Sequence, residues 1–339
     1  MKRFNLTSVL VCSLLAKTEA FLRLCTTHIS SAPTFVHNVE LQLSAGAARD
    51  ENQQAAIFAK EKQSQRTDGQ EWRNAVIVSS VQACSSGKST VAEIKVDELT
   101  MREYTTPGQF IQLRPDDDMI TDPIFLAISS APVCCKSSSI DTTEPSSTFQ
   151  FLIKMSPRLP WLPETLVPGK VVKISPVMGK GFPLEKLSHD TSCEKPSTVL
   201  LLAAGSGIAP LKACIESGLL SCTSSNDSSS NNNPIPSQTI LYYGEWSPDD
   251  LCFTNLYDNW KEKHNTIIKP VFSRTPDSRG YIQNVLSRHK NDDDGLLSAD
   301  TDTAKSTWVI LCGMDEMVES CKKVMLDKGV EEDHILLNF

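Results

Sequence analysis

Thr198-Val199-Leu200-Leu201-Leu202-Ala203-Ala204-Gly205-Ser206-Gly207-Ile208-Ala209-Pro210 reads as one strand, one tight turn and the start of one helix. Seven apolar or small residues in a row suit a parallel strand covered on both faces. Glycines at 205 and 207 let a backbone approach a pyrophosphate, and a helix following at 211–219 offers amides and a positive dipole end to that charge. Gly205, Ser206, Gly207, Ile208, Ala209 and Pro210 are therefore the first candidate nucleotide ligands.

Outward from this segment, apolar runs at 239–243, 267–272 and 307–312 alternate with helix-like stretches. That alternation predicts a doubly wound parallel α/β domain over residues 196–339. Two polar insertions, 221–237 and 290–305, interrupt it and read as surface loops. Toward the amino terminus the pattern changes. Short runs at 75–78, 91–96, 109–113, 125–129, 149–154 and 171–175 are rich in β-branched and aromatic residues and several alternate with period two. They predict a six-stranded antiparallel barrel over 72–190, punctuated by Pro107-Gly108 and Pro168-Gly169. Within it, Gly87-Lys88-Ser89-Thr90 resembles the end of a phosphate loop. Position 82 is Gln where that loop needs Gly, and a strand follows rather than a helix, so the segment reads as a turn between barrel strands.

Composition sets limits on function. The 339 residues are 40% hydrophobic and 22% charged, with a net charge of −8. An acidic chain poor in aromatics is a poor nucleic-acid binder, and no apolar run reaches the roughly 18 residues of a membrane span. Eleven cysteines occur without any CxxC pair, which argues against zinc ribbons and cysteine-bound clusters and for reduced thiols. No metal is expected. Cys134-Cys135 is not read as a redox pair, because neighbouring cysteines close a disulfide only with strain.

The amino terminus reads as an address. Lys2 and Arg3 precede an apolar stretch at 6–16, and residues 21–39 lack acids and are rich in Ser and Thr. Signal peptide followed by transit peptide resembles the bipartite presequence of algae with secondary plastids. A plastid is the expected destination, with the secretory pathway as the alternative. Residues 1–39 are set aside as presequence and 40–71 as a polar linker.

The GSGIAP segment after Leu-Leu-Leu-Ala-Ala resembles the pyridine-nucleotide half of the ferredoxin–NADP reductase superfamily. Tyr242-Tyr243-Gly244, Phe272-Ser273-Arg274, Tyr281-Ile282-Gln283 and Cys312-Gly313-Met314 with Met317 follow in the order of that family. The resemblance implies that Ser273, Arg274, Tyr281 and Gln283 hold the adenosine end and mildly favour NADP(H) over NAD(H). It places Cys312, Gly313 and Met314 beside the nicotinamide, and the terminal Phe339 as the aromatic that covers a flavin. Cys312 and Phe339 are thus the expected catalytic positions. The barrel departs from the family. Its Arg-x-Tyr-Ser flavin motif aligns with Pro123-Ile124-Phe125-Leu126, so Phe125, Leu126, Ala127, Ile128 and Ser129 are the expected flavin contacts without the usual arginine. Arg114, Lys154 and Arg158 are candidates for its charge, and residues 155–161 match the family's second flavin segment poorly. The end of the barrel, Val167-Pro168-Gly169 and Met178-Gly179-Lys180-Gly181, looks most like the electron-transfer subunit of dihydroorotate dehydrogenase, without its iron–sulfur domain.

The expectation is a flavoenzyme, carrying FAD or FMN, that takes hydride from NAD(P)H and passes electrons to an acceptor the sequence does not name, protein or small molecule. The alternative is a non-catalytic nucleotide-binding or redox-sensing module that keeps the fold without flavin.

Overall fold

The computed structural model describes residues 71–116, 122–132, 147–189, 198–220, 238–276, 280–288 and 304–338. The presequence, all of the linker except Glu71, Cys134-Cys135, the 221–237 insertion, 290–303 of the second insertion, Arg279 and Phe339 lie outside the described residues. Residues 71–339 form one compact unit.

All six expected barrel strands form. They are β1 (Arg73–Gln82), β2 (Ser89–Lys95), β3 (Phe110–Pro115), β4 (Ile124–Ala127), β5 (Thr148–Lys154) and β6 (Val171–Ile174), in the antiparallel order β4-β3-β6-β1-β2-β5. The sheet curls until its two edges meet, where Ile128 bridges Phe151 and the Ser129 amide donates to Gln150 O at 2.8 Å. Ile77, Ile94, Ile111, Leu113, Ile128, Phe149, Phe151 and Ile174 fill the interior, one residue in two along each strand, as period-two patterning requires. Gly87-Lys88 lies in the β1–β2 turn, so the phosphate-loop resemblance is a hairpin, as its missing first glycine implied.

The second half is a five-stranded parallel sheet. Its strands are β7 (Thr198–Ala204), β8 (Gln238–Glu245), β9 (Thr266–Phe272), β10 (Thr307–Cys312) and β11 (Ile335–Leu336), in the order β11-β10-β7-β8-β9. Along β7 the side chains alternate between two cores. Leu201 and Ala203 pack with α1 (Ile208–Glu216) and with Trp260 of α2 (Tyr257–His264). Leu200 and Leu202 pack with α3 (Ile282–Arg288) and α4 (Asp315–Asp327). Burial on both faces is why the run is continuously apolar rather than alternating.

α1 starts three residues earlier than the expected 211. Pro210 falls in its first turn, where no amide donor is needed and a fixed φ fits the helix.

The two halves are tied at several points. Lys212, on α1 and buried, donates to Ser129 O at 3.2 Å and pairs with Glu216 at 2.6 Å. The Ser86 amide donates to Asp249 O at 2.9 Å, and Lys88 meets Asp250 at 2.8 Å. Asn338 donates to Gly108 O at 3.1 Å. No helix among the described residues is long and apolar enough to cross a membrane.

Candidate nucleotide and flavin sites

At the carboxyl end of β7 the chain makes a single 3-10 turn, Gly205–Gly207, before α1. Gly205 has φ +58, a left-handed conformation that glycine adopts without steric cost. Gly207 is needed for a different reason. A Cβ there would lie 2.2 Å from the Cys312 carbonyl oxygen and 2.6 Å from its carbon. The glycine thus lets the start of α1 sit directly against the end of β10. The gap between strand ends is lined by the turn on one side and by Cys312-Gly313-Met314 on the other. Gly313 is itself crowded, by Met317 Sδ at 3.1 Å and Ala204 Cβ at 3.2 Å. Ser206 is solvent-facing, whereas Ile208, Ala209 and Pro210 are buried and offer a ligand backbone only.

Cys312 is partly covered, and burial pushes its thiol up to about 12, so it is protonated and neutral at physiological pH. It can line a pocket but is a poor nucleophile there. Met314 stands out from the surface beside it. Among the described residues no cluster of His, Cys, Asp or Glu could hold a metal.

The ends of β8 and β9 lie side by side. The Ser273 amide donates to Glu245 O at 3.0 Å and the Arg274 amide to Trp246 O at 2.9 Å. The Arg274 guanidinium lies over the Trp246 indole, 3.8 Å from its centroid. Tyr281, 61% exposed, precedes α3, and Gln283 Oε1 is buried without a hydrogen-bond partner among the described residues. Ser273 and Arg274 thus lie against the end of β8, while Tyr281 and Gln283 sit at the start of α3.

Sequence reasoning missed one residue here, Trp246, and gave another, Lys154, a different role. Lys154, at the end of β5, brings its ammonium from the barrel to 3.9 Å from where a Cβ of Gly205 would be, and 5.1 Å from the Trp246 centroid. It therefore faces the nucleotide turn. Trp246 was passed over because it follows the Tyr242-Tyr243-Gly244 segment and belongs to no motif. Its signal was an exposed indole in a chain with only five tryptophans. Glu245 beside it is raised by burial, partly offset by the Lys154 charge.

The barrel face is less orthodox. Phe125 is 54% exposed and points away from the barrel core, its ring tilted against Phe110 at 5.8 Å. Leu126 and Ile128 do not fulfil the expectation of flavin contact through their side chains, which pack inside the barrel, because strand pleating sends alternate residues inward. The Ser129 hydroxyl is spent on barrel closure, donating to Gln150 O at 2.8 Å. Ala127 remains half-buried beside Phe125. Two further groups share the face of Phe125. Gln112 is its cross-strand partner, 3% exposed, with an amide oxygen that has no partner among the described residues. Arg114 stands two residues along β3, its guanidinium 4.0 Å from the Trp72 ring centroid. Arg158 is exposed. An open aromatic ring, an orphaned buried acceptor and a nearby guanidinium fit a flavin: a ring to stack, an N–H to accept, and a negative charge to neutralise.

The oxidoreductase NAD-binding domain family matches residues 201–323. The fruit protein pKIWI502 of Actinidia deliciosa is 25% identical over 242 residues, which are 69% of this chain and 66% of that protein. The chain thus matches slightly less than two thirds of that relative's length. A cytochrome P450 reductase of Amycolatopsis superposes with a TM-score of 0.58 at 16% identity, covering 79% of this chain and 70% of that one. A ferredoxin NADP+ reductase from Neisseria gonorrhoeae with bound FAD and NADP superposes at 0.54 and 17% identity, covering 78% and 97%. At such identities the structural likeness is one of fold. Residues 201–323, which carry the GSG turn, form an oxidoreductase NAD-binding domain, and the barrel followed by a parallel sheet is the fold of the ferredoxin NADP+ reductase it superposes on.

Proposed function

We propose that this NAD(P)H-dependent oxidoreductase binds NADPH across the carboxyl ends of β7 to β10 and transfers hydride to a flavin, FAD or FMN, on the outward face of β3 and β4. Electrons then pass to a separate acceptor. The observation that carries this reading is the meeting of the Gly205–Gly207 turn with the Cys312 carbonyl, with the ammonium of Lys154 from the barrel beside the same turn.

The turn amides and the α1 amino end face the pyrophosphate, with Lys154 reaching across from the barrel to neutralise it. Ser273 and Arg274 meet the 2′-phosphate, a geometry suited to a guanidinium. Tyr281 and the orphaned Gln283 oxygen take the adenosine. Cys312 and Met314 line the nicotinamide, and the protonated thiol keeps charge away from C4. By the family resemblance, Phe339 would be the aromatic that covers the flavin. The flavin supplies the hydride acceptor and the means to release electrons singly or in pairs. Orientation and exclusion of water are the chain's part; no protein acid or base is needed.

The test is an absorption spectrum of the purified protein, before and after NADPH under anaerobic conditions. Flavin bands that bleach are the expected result. A colourless protein that takes up neither FAD nor FMN would overturn the reductase reading and leave a nucleotide-binding module. Residues 1–39 support delivery to a plastid, which a fluorescent fusion of that segment tests by its location.

A further inference from the structure

Lys88, in the hairpin whose sequence resembles the end of a phosphate loop, has no part in the function above. The hairpin is not idle. It reaches from the barrel to the nucleotide half, where its Ser86 amide is bound by Asp249 O at 2.9 Å. Lys88 Nζ lies 2.8 Å from Asp250 Oδ1 and 4.9 Å from the Trp246 ring centroid. Arg274 covers the same indole at 3.8 Å and Lys154 approaches it at 5.1 Å. Three cations from three segments therefore converge on one exposed ring, in a chain of net charge −8. Asp250 is one counter-charge. Burial would raise its carboxyl, but hydrogen bonds from Lys88, Ser86 and Ser247 outweigh that and hold it at about 2, so it is ionised. Glu245, raised by burial, is another, and Asp249 adjoins Asp250 in the same turn. The Lys88 side chain is 45% exposed and its ammonium has donors beyond the one facing Asp250.

We infer that Lys88 is a specificity residue for a ribose phosphate monoester: from the barrel it supplies a second cation to the 2′-phosphate that Arg274 meets from the nucleotide half. Trp246 is the positioning residue that holds both cations at the edge of the cleft. The inference rests on the nucleotide reading above. It makes preference for a 2′-phosphorylated adenosine depend on the docked hairpin, which no motif of the nucleotide domain encodes.

The test is calorimetric titration of the full chain with 2′-phospho-AMP and, separately, with AMP. The variants are K88R, the pair K88M/D250N, which removes the cation without stranding the buried carboxylate, W246F and W246L. Wild type is expected to bind 2′-phospho-AMP more tightly than AMP. K88M/D250N and W246L should each lose about tenfold for 2′-phospho-AMP, with AMP changed less than about twofold. K88R and W246F should keep the preference. Equal losses for both ligands, or no loss, would overturn the inference and make Lys88 a hairpin anchor. Wild type binding AMP and 2′-phospho-AMP equally would overturn it while leaving the nucleotide site standing. Wild type binding neither these nor NADPH and NADH would overturn the nucleotide reading itself.

Discussion

The Gly205–Gly207 turn and strand β4 hold equivalent places in the proposed function, each the segment assigned to a cofactor, and they are made in opposite ways. The turn works through backbone. One glycine supplies a left-handed φ, the other an absent side chain 2.2 Å from a carbonyl, and the ligand groups are amides. β4 works through side chains, and only one residue in two faces outward, so Phe125 serves the surface while Leu126 serves the core. A site made of backbone tolerates no substitution where the chain comes close. A site made of side chains can shift to a neighbouring strand, because cross-strand partners such as Gln112 share the face.

Gly207→Ala gives the largest expected effect. The added carbon meets the Cys312–Gly313 peptide, and backbone at the end of β10 cannot turn aside as a side chain would. A loss of about 3 kcal/mol is expected in urea unfolding, with nucleotide binding lost as the turn opens. Gly313→Ala should cost less, about 1 kcal/mol, because Met317 Sδ can swing away. Equal costs would show that the turn is less constrained than its contacts imply.

Leu126→Ser restores the family's usual serine and is expected to fail. It removes a core side chain and buries a hydroxyl, a loss of about 3 kcal/mol, with no gain in flavin affinity by fluorescence titration. Tighter flavin binding would mean that position 126 turns outward when the cofactor is present.

These two variants also show what could be read before the fold was known. The nucleotide half was legible because its glycines and strand ends sit at fixed spacings, and each of Ser273, Arg274, Cys312 and Gly313 arrives where the pattern put it. In the barrel the strands were legible from alternation, but which residue of Pro123–Ser129 faces outward depended on the pleat of a four-residue strand. The convergence at Trp246 was not legible at all. Lys88, Lys154 and Arg274 lie on separate segments, and only the docking of barrel against sheet brings them together.

Alkali should separate the halves next. In the nucleotide half, burial pushes the thiols of Cys252, Cys312 and Cys321 up to about 12 each. Their folded values lie above the unfolded 9.0, so their contribution is complete below pH 9 and is lost as pH rises from 9 toward 12. Each thiol removes up to about 1.4 kcal/mol per pH unit in that window. In the barrel, Cys84 moves the other way. Burial would raise it, but hydrogen bonds, led by Ser86, bring it below 9.0, so its contribution is retained above that pH. Thermal unfolding between pH 8 and 11 should show a falling stability that Cys321→Ala makes shallower and Cys84→Ala does not. A slope insensitive to Cys321→Ala would mean that this thiol is not held protonated.

The smallest effect is expected to reverse sign with the cofactor. Gln112 is buried on the face of Phe125, and its amide oxygen has no partner among the described residues. An unpaired buried acceptor costs about 1 kcal/mol or more, so without a ligand the glutamine is a liability. Gln112→Leu keeps the volume and removes the acceptor. The flavin-free protein should gain about 1 kcal/mol, read as a higher Tm, while flavin is released more readily on dilution. A purely structural glutamine would lose stability in both states. A glutamine that serves neither packing nor flavin would give the gain without the faster release, and would move the flavin contact from β3 to the backbone of β4.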